Sequence, residues 1–152
     1  MEGTAESRLR QKALRLLSLR EHSRSELARK LDGLGTPEEV AAILDRMSEL
    51  GLQSDQRYAE VWVRSKAARF GTQRMRRELA QRGVSDAIIE AALDAETPAS
   101  DLDRARAVWR TKFGQPAADR REWGRQARFL QGRGFATDVI MTLLKEVPDE
   151  SA

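Results

Sequence analysis

The 152 residues contain no cysteine. Disulfides and thiolate metal sites are excluded, and a reducing cytoplasm is the expected setting. Histidine occurs once, as His22. A lone imidazole without thiolates makes no zinc site, and its place at the expected end of a helix suits an imidazolium facing the dipole. Aromatic residues are only 5% of the chain. So little bulky apolar material favours small helical units over one thick core. No apolar run approaches the roughly 18 residues that span a bilayer, and Met1 to Arg10 shows no signal-peptide pattern. Long apolar–polar alternation is missing too, which argues against strands. No serine stands in a nucleophile elbow, and no lysine stands in a phosphate-binding loop. Gly33-Leu34-Gly35 begins like a dinucleotide loop but has neither a preceding strand nor a third glycine. No catalytic residue, metal or cofactor is expected. These absences point to a protein that works by binding macromolecules and not as an enzyme.

What the chain does have is charge: 34% of residues, against a usual share near 25%. The net charge is only +3, but the signs are segregated. Residues 61–85 carry seven bases against Glu78 alone, a net +6. Residues 86–103 carry six acids and no base, a net −6. Residues 104–133 carry nine bases, Arg104 and Arg106 among them, against Asp119 and Glu122, a net +7. The acidic stretch reads as a solvated face. The basic stretches read either as solvated faces or as surfaces for phosphate or for an acidic protein.

Helix signals are dense. Ser23 with Glu26 forms a capping box, and Thr36-Pro37-Glu38-Glu39 combines a cap, a first-turn proline and two acids on the positive dipole end. Ser54, Thr72, Ser85, Ser100 and Thr137 stand where further caps are needed. Gly33, Gly51, Gly71, Gly83, Gly114 and Gly134 mark helix ends. Helices are predicted over about 7–21, 24–32, 37–50, 54–69, 73–82, 86–95, 101–113, 119–132 and 137–145.

These nine form three similar groups of three. Arg82-Gly83-Val84 matches Arg133-Gly134-Phe135, and Ile88-Ile89 then Leu93 match Val139-Ile140 then Leu144. The predicted fold is all-α, with three tandem three-helix, helix-turn-helix-like repeats in an elongated, curved array. The boundaries fall at 1–52, 53–97 and 98–147, followed by an acidic tail over 148–152. Leu27 and Leu31, Met75 and Leu79, and Trp123, Ala127 and Leu130 face inward.

Arg74 and Arg77 share one helix face, and Arg121, Arg125 and Arg128 share another, opposite Trp123, Ala127 and Leu130. Tyr58 and Trp62, four apart, lie on one face as core or as a partner contact. The helix over 37–50 carries Glu38, Glu39, Asp45 and Glu49 against Arg46, so it is a poor reader of DNA.

Three segments, in this order, resemble the RecX family of bacterial regulators of the RecA recombinase. They are Gly51-Leu52-Gln53-Ser54-Asp55-Gln56-Arg57-Tyr58-Ala59, Gly71-Thr72-Gln73-Arg74-Met75-Arg76-Arg77-Glu78-Leu79 with Arg82-Gly83-Val84, and Arg128-Phe129-Leu130-Gln131-Gly132-Arg133-Gly134-Phe135. The resemblance covers about residues 8–145. The chain departs from the family pattern in its acidic, proline-bearing link, Glu96 to Asp101. The resemblance implies a monomeric, non-enzymatic array of three-helix units that lies in the groove of the RecA–DNA filament. Such a protein limits filament growth, ATP hydrolysis, strand exchange and coprotease action, and binds single- and double-stranded DNA without sequence preference. Candidate filament- or DNA-binding residues are Arg64, Arg69, Arg74, Arg77, Arg121, Arg125, Arg128 and Arg133. A second reading is a basic helical DNA-binding protein with no recombinase partner.

Overall fold

A computed structural model describes residues 3–150, with side chains through Glu146. All regular structure among the described residues is helical: α1 (Ala5–Leu19), α2 (Arg24–Leu31), α3 (Pro37–Glu49), α4 (Asp55–Lys66), α5 (Thr72–Gln81), α6 (Asp86–Glu96), α7 (Asp101–Lys112), α8 (Arg120–Gly132) and α9 (Thr137–Glu150). None is long and apolar enough to cross a membrane.

The caps explain why the ends fall where they do. Ser23 and Thr36 both close capping boxes, with Glu26 and Glu39 returning to the cap amides. Ser54, Ser85 and Ser100 accept from Arg57, Ile88 and Asp103 amides. Thr72 and Thr137 are instead the first helical residues, one past the cap position. The Thr72 hydroxyl donates to Asp101 at 2.7 Å. Asp119 caps α8, accepting from the Glu122 amide. Helix α9 continues to Glu150, past the predicted 145 and into the expected tail; the side chains of 147–150 and all of 151–152 lie outside the described residues.

The described chain forms two compact units. One takes residues through Trp62 together with Leu79–Ala92; the other takes Val63–Glu78 and the residues from Leu93 onward. The division runs through α4, α5 and α6.

In the first unit Leu9, Ala13 and Leu16 of α1 meet Leu27, Leu31, Ile43, Leu44 and Met47. Tyr58 and Trp62 are buried, which makes them core and not a partner contact. Burial and the neighbouring Glu26 carboxylate push the Tyr58 hydroxyl up to about 12. At one corner, Ser23 Oγ donates to the Arg82 carbonyl at 2.7 Å.

His22 differs from its expected role. It is 1% exposed, with Nδ1 3.0 Å from the Arg20 carbonyl and Nε2 3.1 Å from Lys30 Nζ. An ammonium donating to Nε2 requires a neutral ring with its proton on Nδ1. Burial, ahead of the Arg20 and Lys30 charges, lowers its pKa, so it is no imidazolium facing a dipole. In the unfolded chain this ring titrates near 6.5. Below that pH the unfolded state binds a proton that the folded state refuses. Stability is therefore expected to fall as pH drops from 6.5 toward the lowered value, by at most about 1.4 kcal/mol per pH unit. Urea unfolding at pH 7, 6 and 5 reads this slope, and His22→Gln should flatten it. An equal slope in that variant would assign the effect elsewhere.

In the second unit the core is Ala105, Trp109, Leu130, Phe135, Ile140, Leu143 and Leu144. Gln126, on α8, is 2% exposed; it accepts from Trp109 Nε1 at 2.9 Å and donates to the Gln115 carbonyl at 3.1 Å. A buried indole N–H needs such a partner. The corner contact of the first unit recurs here: the Gly71 amide, just before α5, donates to the Arg133 carbonyl at 2.8 Å. A Cβ on Gly71 would lie 2.3 Å from the Gly134 carbonyl oxygen, so the two backbones meet with no side chain between them.

Candidate functional site

All eight arginines singled out in the sequence lie in the second unit. The structure sorts them by what they already hold.

Three are engaged. Arg64, in α4, donates Nε and Nη2 to both Glu96 oxygens, at 3.1 and 2.8 Å. That fork holds the Glu96 carboxyl below its usual range. Arg74, at the start of α5, donates to Glu78 at 3.0 Å and to the Gly132 carbonyl at 3.2 Å. Its guanidinium lies 3.8 Å from the centre of the Phe70 ring, so it is half-buried and structural. Arg125 forks onto Glu122 at 2.9 and 2.7 Å, lowering the Glu122 pKa and raising its own.

The other five, Arg69, Arg77, Arg121, Arg128 and Arg133, make no ion pair among the described residues. Arg77, Arg121 and Arg128 are exposed. Arg69 lies 5.5 Å from the Phe70 ring centre, and Arg133 5.0 Å from that of Phe129.

Arg104 and Arg106 correct the reading of the third basic stretch as surface charge. Arg104 is 8% exposed, pairs with Asp101, and donates to the Ala67 and Phe70 carbonyls. Arg106 bridges Asp103 at 2.8 Å and Glu146 at 2.7 Å. The acidic stretch is corrected in the same way. Glu96, Asp101 and Asp103 are partners of arginines and not merely solvated acids. Such pairs bring together residues such as 64 and 96 or 106 and 146, which helical spacing within one segment does not reveal.

A cavity of about 370 Å³ opens beside α7 and α8 in the same unit. Its wall is Ala68, Ala107, Val108, Thr111 and Phe129, and Arg69, Lys112 and Arg133 stand around it. Lys112 lies 5.3 Å from the Phe129 ring centre. Phe113 meets the same ring edge-on, with centroids 5.4 Å apart. Lys112 was not among the sequence candidates. Its signal was Ala107, Val108 and Thr111 just before it, small residues that leave room beside a helix.

Comparison with known proteins places these features in a wider group. Family models described as the first, second and third three-helix domains of RecX match residues 10–47, 54–93 and 99–144. The Regulatory protein RecX of Leptothrix cholodnii is 46% identical over 138 residues, covering 90% of this chain and 87% of that protein. The one from Halorhodospira halophila is 48% identical over 142 residues, covering 91% and 87%. The crystal structure of RecX from Lactobacillus salivarius superimposes with a TM-score of 0.82 at 25% identity, covering 95% of this chain and 97% of that one.

Proposed function

The chain belongs to the RecX family, and from that membership we propose that it is a non-enzymatic regulator of the RecA recombinase. On this reading it works in the cytoplasm as a monomer of three modules, 1–52, 53–97 and 98–147. It lies in the groove of the RecA–DNA filament and limits filament growth, ATP hydrolysis, strand exchange and coprotease action. The observation that carries the reading is the ordered match of all three domains over nearly the whole chain. The direct test is single-stranded-DNA-dependent ATP hydrolysis by a bacterial recombinase, titrated with this protein. Turnover is expected to fall with fewer regulator molecules than recombinase protomers. Unchanged turnover at one to one, with no filament binding, would refute the reading.

The unpaired arginines support a DNA contact. Arg77, Arg121 and Arg128 are exposed and make no ion pair among the described residues, so phosphate does not have to displace any of the described carboxylates. Non-specific affinity is expected around 10⁻⁴–10⁻⁶ M at physiological salt. Reversing these three to glutamate should weaken it at least tenfold and lower the logarithmic salt slope by about 3, near 1 for each lost phosphate contact. Reversing Arg64 and Arg74 should change the slope less, because both already hold carboxylates. An unchanged slope in the triple variant would make those residues bystanders. The same unpaired set also suits a DNA-binding protein with no recombinase partner. Capture of the recombinase after nuclease treatment separates the two readings.

A further inference from the structure

We propose that the cavity edged by Arg69, Lys112 and Arg133 is a docking site for an acidic peptide segment, with one large apolar side chain of that segment seated inside. This goes beyond the recombinase reading and does not depend on it.

The wall of the cavity comes first. Ala68, Ala107 and Thr111 are too short to fill the space between the turn after α4 and helices α7 and α8, and Val108 and Phe129 line it with apolar surface. At about 370 Å³ it lies within the usual range for a small ligand or an anchoring side chain. Three cations surround this surface, and none of them makes an ion pair among the described residues. That sets them apart from Arg64, Arg74, Arg104, Arg106 and Arg125, whose carboxylates the chain supplies itself. An occupant that complements the site must be apolar at its centre and negative around it. Carboxylates flanking a leucine or phenylalanine have that pattern.

A nucleic acid meets the charge but not the surface. Base recognition by stacking needs an open aromatic face. The Phe129 ring already has Lys112 and Arg133 within about 5 Å of its centre and the Phe113 ring against it. The rest of the wall is aliphatic or small. The cations are also held by ring contacts, Arg69 by Phe70 and the other two by Phe129, which reduces the rotamer freedom lost on binding.

The experiment uses the full chain and a fluorescent decapeptide with one phenylalanine between runs of aspartate and glutamate. Its control is the same peptide with serine at the anchor, and single-stranded oligothymidine is the competitor. The phenylalanine peptide should bind at least tenfold more tightly than the serine peptide. Ala107→Leu, at an exposed helical position, should fill the cavity and weaken the peptide at least tenfold without loss of helicity. The double variant Arg69→Glu, Lys112→Glu should do the same by charge, and added salt should weaken the parent. Any of four results overturns the proposal: no binding of the phenylalanine peptide, equal binding of the serine peptide, parent-like affinity in Ala107→Leu, or oligothymidine as the ligand whose affinity falls in that variant.

Discussion

An Arg104→Ala chain is expected to unfold with about 3 kcal/mol less free energy than the parent, at the low end for breaking one side of a buried ion pair. The last carbonyls of a helix have no intrahelical donor. After α4 ends at Lys66, Arg104 reaches across from α7 and supplies donors to the Ala67 and Phe70 carbonyls while pairing with Asp101. Alanine leaves two carbonyls and a half-buried carboxylate without that guanidinium. For a domain of this size the loss corresponds to roughly 6–12 °C in Tm. Arg104→Lys should recover only part of it, because one ammonium cannot present the planar fork. Thermal unfolding by circular dichroism reads both variants. A shift below about 2 °C for alanine would show that water replaces the guanidinium at little cost.

Gly134→Ala is expected to cost about 4 kcal/mol. Two penalties combine. The residue has φ +97, in the left-handed region, where a Cβ costs about 1–2 kcal/mol. That Cβ would also lie 2.2 Å from Arg74 Cβ and 2.7 Å from Arg74 N, and overpacking of this kind costs about 1–3 kcal/mol. Gly132→Ala is the internal control. It ends α8, has nothing within 4 Å of its added Cβ, and should be neutral or stabilising by up to about 1 kcal/mol. Urea denaturation of the pair measures the difference. Equal midpoints would remove the close backbone crossing as a source of stability.

The helices were legible because their ends carry local chemistry. A serine or threonine with an acid three residues on, or a glycine in the left-handed region, acts within one turn of itself. The repeats were legible for a related reason: Arg82-Gly83 and Arg133-Gly134 build the same corner. Thr72 misled because a hydroxyl beside a helix start serves either as a cap or as a donor elsewhere, and its partner, Asp101, is remote in sequence. The charges were the least legible. A run of arginines reads the same whether each is free or tied, and Arg64 and Arg77 differ only in what folding brings beside them. His22 was misjudged on the same ground, since burial, with the Arg20 and Lys30 charges behind it, sets its state, and burial is not read from the residues beside it in sequence. The cavity left only a faint trace, the small residues around Ala107, because a gap is defined by what they fail to fill and its other walls, Ala68 and Phe129, are remote in sequence.

The corner contact gives the chain a direction. In each joint the residue just ahead of a module's middle helix is the giver, through Ser23 Oγ or the Gly71 amide. The receiver is the carbonyl just ahead of a glycine in the next module, at Arg82 or Arg133. Giver and receiver sit at different places on one module, so the contact is head-to-tail and not self-complementary. A gene segment encoding one such module carries both halves of the joint. Duplicated in frame, it supplies a receiver for the module before it and a giver for the module after it. Length in this architecture can therefore change by whole modules, without a new interface having to be invented at each step.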